Sequence, residues 1–155
     1  MPSIHIIFAS TSGHTEYVVD TLIDILKRKK MKVEKQQAER TKPEDLLRGD
    51  LLILASSTWN TGNVEGQLNP HMFNLLLDRA KDMTLNGKKM ALIALGDERY
   101  FYRANAALHL ETFTKDHGGT LVCPTLKIIN EPYGQEDAIN QWAQSLPLPV
   151  PHKKS

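Results

Sequence analysis

The sequence predicts a doubly wound α/β domain, a parallel sheet carrying helices on both faces. Apolar runs of strand length alternate with segments of helical periodicity along the chain. Two of the runs, Leu51-Leu52-Ile53-Leu54-Ala55 and residues 89–95 (KMALIAL), are almost continuously apolar, as strands buried on both faces are. The first run ends in Ser10-Thr11-Ser12-Gly13, the punctuation of a strand feeding a helix. Strands and helices in this order close into a parallel sheet through right-handed crossovers.

Ile4, Ile6 and Phe8 mark the first strand. Over residues 15–30, Val18, Val19, Leu22, Ile23 and Leu26 recur at helical spacing, with Glu16, Asp20 and Asp24 early and Lys27 to Lys30 late, as the helix dipole favours. Residues 31–37 read as a short polar strand at a sheet edge, and 41–47 as a helical turn beginning near Pro43. After the strand at 51–55 comes a polar loop, 56–67, then a helix over 70–82 bearing Met72, Phe73, Leu76 and Leu77. After the strand at 89–95 a loop leads to a helix over 103–117, closed by Gly118-Gly119 as a glycine C-cap would close it. Residues 120–129 supply a fifth strand. The last helix, 135–146, stops at Pro147, so the domain is read as 1–148 and 149–155 as a tail.

Composition narrows the function classes. The 155 residues, 41% hydrophobic and 24% charged, suit one domain with one sizeable core. No apolar run approaches the roughly 20 residues that span a bilayer, and the chain enters a strand pattern almost at once, so no membrane partner and a cytoplasmic location are expected. The single cysteine, Cys123, excludes an internal disulfide framework. A net charge of +1 gives no global field for nucleic acid.

In doubly wound sheets ligands bind at the carboxyl ends of the strands, so the loops after the first, third and fourth strands carry the chemistry. The first, Ala9-Ser10-Thr11-Ser12-Gly13-His14-Thr15, sets four hydroxyls and a glycine at a helix start, where side-chain and backbone donors can converge on an anion. Taken alone it reads equally well as a turn that caps the helix. It has no Lys or Arg, unlike a nucleoside triphosphate loop, and neutral donors suit a phosphate monoester. The third-strand loop is Ser56-Ser57-Thr58-Trp59-Asn60-Thr61-Gly62-Asn63 and the fourth Gly96-Asp97-Glu98-Arg99-Tyr100-Phe101-Tyr102. Trp59 or Tyr100 by itself is ordinarily a packing residue; together they could clamp a flat ring on both faces.

The pattern S-T-S-G-H-T, S-T-W-N-T-G and G-D-E-R-Y, in this order and spacing, resembles the three loops that bind flavin mononucleotide (FMN) in flavodoxins, and the likeness covers nearly the whole chain. Residues 120–129 leave no room for the long insertion of long-chain members, so the likeness is to the short-chain group. The resemblance implies a flavodoxin-like three-layer α/β/α sandwich, its five-stranded parallel sheet ordered 2-1-3-4-5. It places Ser10, Thr11, Ser12, Gly13, His14, Thr15 and Ser57 around the phosphate. Thr58, Trp59, Asn60, Thr61 and Gly62, with Leu95, Gly96, Asp97 and Tyr100, surround the ring, Trp59 on its inner face and Tyr100 on its outer. It also implies a monomeric one-electron carrier that shuttles between redox partner proteins, a reductase and acceptor enzymes, through the quinone, semiquinone and hydroquinone of FMN.

An aromatic sandwich, an unneutralised phosphate and carboxylates such as Asp97 would make an anionic reduced flavin costly and lower the second potential. By resemblance, the peptide joining Asn60 and Thr61 turns its carbonyl toward flavin N5–H on one-electron reduction. Asn adopts positive φ less freely than Gly, so Asn60→Gly is expected to accumulate more semiquinone in a redox titration. Two departures stand out. His14 replaces a common Asn and can either donate to the phosphate, tying affinity to pH near neutrality, or stand exposed. Arg99 and Arg103 lie where an acidic surround is expected, and with the near-neutral total charge they set this chain apart from strongly acidic carriers. An FMN-dependent NAD(P)H:quinone reductase and a flavodoxin-like regulatory or maturation protein could reuse the same loops. No nucleophile–base constellation and no metal-ligand spacing accompanies them.

Overall fold

The three most apolar strands stand at the centre of the sheet, and each divides its side chains between two cores. In the computed structural model, which describes residues 3–61, 64–97 and 104–147, β1 (Ser3–Ala9) is followed by α1 (His14–Arg28) and β2 (Lys32–Gln37). Two short 3-10 helices, Ala38–Arg40 and Pro43–Leu47, lead to β3 (Leu51–Thr61), β4 (Val64–Leu68) and α2 (Pro70–Asn74). Then come β5 (Lys89–Gly96), α3 (Ala106–Asp116), β6 (Thr120–Leu121), β7 (Leu126–Ile129) and α4 (Glu136–Ser145). The parallel order is β2-β1-β3-β5, with β6 and β7 sharing the last place beside β5. This is the 2-1-3-4-5 arrangement.

Alternation along the strands builds the layers. Ile4, Ile6 and Phe8 of β1, Leu51, Ile53 and Ala55 of β3, and Ala91, Ile93 and Leu95 of β5 pack against α1 and α4. Ile7, Leu52, Leu54, Met90 and Leu92 face the other way, toward Met72, Leu75 and Leu76 and toward Leu110 and Phe113 of α3. The polar β2, paired on one side only, is the sheet edge.

Three elements differ from the sequence reading. Within the loop expected over 56–67, residues 56–61 instead continue β3 and pair antiparallel with β4, Thr58 with Leu68, Trp59 with Gln67 and Thr61 with Val64. Their Thr and Trp side chains favour strand, and their polarity reflects a ribbon standing clear of the core. The register slips between Trp59 and Thr61, where Gly66, at φ 74°, takes up the extra residue of a bulge.

The helix over 70–82 is shorter, ending in a π turn, Leu75–Arg79. There the Ala80 N–H reaches back to the Leu75 carbonyl at 2.8 Å, and Arg79 donates to the Ala38 carbonyl at 2.8 Å. The fifth strand is split, because Pro124 lacks the N–H a ladder needs. Its carbonyl accepts the Trp142 indole N–H at 2.8 Å instead. Among the described residues no helix is long and apolar enough to cross a membrane. The expected tail, 149–155, lies outside the described residues.

Candidate functional site

Where β1 runs out, the chain reverses into α1 around one hydroxyl. Ser10 Oγ accepts the N–H groups of Gly13 at 3.1 Å and Glu16 at 3.4 Å, and Gly13, at φ 92°, makes the left-handed step that a side chain would resist. The Gly13 carbonyl then accepts the Tyr17 N–H at 3.0 Å. Thr15 is buried in this first turn, while Thr11, Ser12 and Gly13 are exposed. The loop therefore is a helix cap, as one reading of its sequence had it, and still presents hydroxyls and the positive end of α1 outward.

The third-strand segment is sewn to this loop by Asn69, a buried residue that the motifs did not single out. Its backbone N–H points to the Ser57 carbonyl and to Ser56 Oγ, both at 3.1 Å. Its side-chain amide donates to Thr11 Oγ1 at 3.0 Å and to Ser57 Oγ at 3.4 Å, while Oδ1 accepts the His71 N–H at 2.9 Å and so caps α2. Ser57 Oγ also accepts the Trp59 indole N–H at 2.7 Å. Thr58 ties the same segment to the fourth: Oγ1 donates to the Leu95 carbonyl at 2.8 Å and accepts the Ala106 N–H at 3.0 Å. Thr61 Oγ1 closes the ribbon on the Leu68 carbonyl at 2.7 Å, and Asn60 is exposed within β3 and is not among the residues at positive φ.

Together these loops enclose an open cavity of about 540 Å³ at the carboxyl rim. Seven sequence-predicted residues line it: Ser12, His14, Ser57, Thr58, Leu95, Gly96 and Asp97. Ser10, Thr11, Gly13 and Thr15 are not part of its lining: Ser10 and Thr11 are held in bonds within and between the loops, Gly13 is exposed and Thr15 is buried, while Trp59, more than a third exposed, is bonded to the lining residue Ser57. Gly62 and Tyr100, like Arg99 and Arg103, lie outside the described residues.

Two wall residues escaped sequence reasoning. Asn130 and Glu131 follow β7, and the Asn130 N–H donates to the Gly96 carbonyl at 2.7 Å with Asn130 at φ 68°. Their signal was positional: Asn-Glu-Pro at the carboxyl end of the fifth strand belongs to the same rim. Asn69 had a signal too, an Asn before Pro at a helix start.

The wall carries neutral donors and a histidine near the α1 terminus and the carboxylates of Asp97 and Glu131 elsewhere, with no Lys or Arg among its described residues. Beside it, the Tyr17 hydroxyl donates to Glu136, which holds that carboxyl below its usual range and raises the phenol. Neutral donors at a helix terminus fit a phosphate monoester, and the cavity volume is in the range of small-ligand sites. Among the described residues no acidic, histidine or cysteine group clusters as a metal site.

The flavodoxin family model matches residues 6–142. The flavodoxin of Maridesulfovibrio salexigens is 28% identical over 142 residues, 91% of this chain and 94% of that one. The crystal structure of oxidised flavodoxin 2 from Bacillus cereus superposes with a TM-score of 0.83 at 30% identity, covering 92% of this chain and 96% of that one. A more distant fold neighbour is the K13G mutant of Fusobacterium nucleatum flavodoxin, solved bound to flavin mononucleotide. It has a TM-score of 0.73 at 19% identity over 93% of this chain and 94% of that one. By family model, length and fold, this chain belongs to the flavodoxin family of small FMN-dependent electron-transfer proteins.

Proposed function

We propose that the rim cavity holds FMN, with Ser10, Thr11, Ser12, Gly13, His14, Thr15 and Ser57 around the phosphate. Thr58, Trp59, Asn60, Thr61 and Gly62, with Leu95, Gly96, Asp97 and Tyr100, then surround the ring. Bound there, FMN supplies one-electron chemistry, and the chain's residues bind, orient and shield it. The observation that carries this reading is the donor set at the start of α1, rich in hydroxyls and free of cations, opening on a cavity of about 540 Å³.

Several local roles follow from the bonds described above. Ser10 fixes the turn so that backbone N–H groups of α1 face the phosphate. Asn69 holds Thr11 and Ser57 in register across two loops, and Thr58 holds the ring end by bridging Leu95 and Ala106. Asp97 and Glu131 set negative potential on the cavity wall, which opposes added electron density on a bound ring. Electrons pass to and from partner proteins. We further assign the domain to residues 1–148, a monomeric state and a cytoplasmic location.

Fluorescence titration of FMN tests the reading: saturable quenching is expected, with riboflavin bound at least ten-fold more weakly for lack of the phosphate. Absence of saturable FMN uptake by the folded chain would refute it. Rapid NAD(P)H-dependent quinone turnover without a partner protein would favour a reductase.

A further inference from the structure

The turn after β7 is fastened to the first turn of α1 by aromatic contacts that FMN binding as described leaves without a role. Tyr133 meets His14 edge-to-face, ring centroids 5.6 Å apart and planes at 88°, and meets Tyr17 in the same manner at 4.7 Å and 66°. The Tyr17 hydroxyl donates to Glu136 Oε2, and the same oxygen accepts the Gly134 N–H at 3.2 Å. The turn is thus tied to α1 through the Tyr133 ring and, one residue on, through Gly134 and Glu136. His14 lines the cavity, whereas Tyr133 is not part of its wall and is 55% exposed.

We propose that Tyr133 is a positioning residue for His14: its ring holds the imidazole at the phosphate end of the cavity and so raises selectivity for a phosphorylated flavin over its dephosphorylated form. This rests on the FMN reading of the site. A histidine on the first turn of a surface helix ordinarily samples several rotamers, and ordering it upon binding opposes affinity. An edge-to-face partner already anchored through Tyr17, Gly134 and Glu136 settles the ring beforehand. The effect reaches FMN only through His14, so it depends on the phosphate and vanishes without the imidazole. Tyr133 is therefore the specificity element, and the ring, not the hydroxyl, is the part required.

FMN and riboflavin dissociation constants for the parent chain, Tyr133→Ala, Tyr133→Leu, Tyr133→Phe, His14→Ala and the His14→Ala/Tyr133→Ala double variant decide the matter. Tyr133→Ala and Tyr133→Leu should weaken FMN about five-fold and leave riboflavin unchanged, while Tyr133→Phe keeps the parent value. In the His14→Ala background, Tyr133→Ala should add no further loss. Equal weakening of FMN and riboflavin, an undiminished effect without His14, or parent-like FMN affinity in Tyr133→Ala would each overturn the assignment while leaving FMN binding itself intact. A parent chain that takes up no FMN would overturn both.

Discussion

The two ends of the sheet use polar groups in opposite ways. At the amino edge the Lys88 ammonium donates to the carbonyls of Leu47 and Gly49, Ser3 N–H meets Asp50 Oδ2 at 2.8 Å, and Asp50 N–H returns to the Ser3 carbonyl at 2.8 Å. Burial of Lys88 there pushes its ammonium below the usual lysine range. Those bonds begin and end within the chain, and the edge is closed. At the carboxyl rim Ser57, Thr58 and Asn69 also bond one another's loops, yet Ser12, His14, Ser57 and Thr58 keep a face on the cavity. One end is a lock, and the other is a lock with a mouth. Stability and ligand affinity should therefore respond separately to substitution at the two ends.

Gly49 gives the sharpest separation. It stands at φ 77°, and a Cβ added there would come within 2.9 Å of the His5 backbone nitrogen and 3.2 Å of the Leu51 carbonyl oxygen. Neither backbone atom can step aside without disturbing β1 or β3. Gly49→Ala is expected to cost about 3 kcal/mol in a urea unfolding titration, from left-handed strain and overpacking together. FMN affinity of the folded fraction should stay within about two-fold of the parent, since the rim is at the other end of both strands. A loss of affinity matching the loss of stability would show that the two ends are one cooperative unit.

Asn69→Ala should mix the two readouts. The α2 cap and two inter-loop bonds disappear, for a stability loss of about 2 kcal/mol. FMN binding should weaken roughly ten-fold because Thr11 and Ser57 lose their shared donor. Isothermal titration beside urea unfolding separates the terms; unaltered FMN affinity would mean that the seam supports the fold alone.

The same contrast explains what was legible in the sequence. Continuous apolar runs such as 51–55 announce a buried strand because nothing else satisfies them, and a hydroxyl-rich turn after β1 announces the rim. The β3–β4 ribbon was hidden: residues 56–67 are as polar as a loop, and it is the pairing of Thr58, Trp59 and Thr61 with β4 that carries β3 on to Thr61. The π turn at Leu75–Arg79 was hidden for the opposite reason, since its apolar residues fit a regular helix and the widening is set by tertiary contacts such as Arg79 with Ala38. Asn69, Asn130 and Glu131 carry their roles by place. Asn69 before Pro70 marks a helix start, but that it also bridges two loops shows only once the fold brings Thr11 and Ser57 beside it.

His5 extends the comparison to pH. It lies one strand position from the apolar Ile4 and Ile6, only 3% exposed, with Nε2 at 2.9 Å from Gln36 Oε1. The Gln36 amide donates to the Arg40 carbonyl and to Asp45 Oδ2, which fixes Oε1 as the acceptor and puts the imidazole proton on Nε2. Burial lowers the His5 pKa below its ordinary 6.5, outweighing the bond to Gln36 and the nearby carboxylates of Glu34 and Asp45, while the Arg48 charge lowers it further. The unfolded chain then binds more protons than the native one at and below about pH 6.5, so stability falls on acidification from there and levels off once the folded state also protonates. Asp45 acts lower. Backbone donation from Lys42 depresses its carboxyl below 3.8, so its contribution is intact above that value and is lost only as pH falls through the depressed one. Urea midpoints measured between pH 7.5 and about 5 should decline in the parent and flatten in His5→Gln, which keeps a donor toward Gln36 but cannot titrate. The rim should be indifferent, so FMN affinity of His5→Gln is expected to follow the parent across the same range. A slope that persists in His5→Gln would place the proton-linked group elsewhere in the chain.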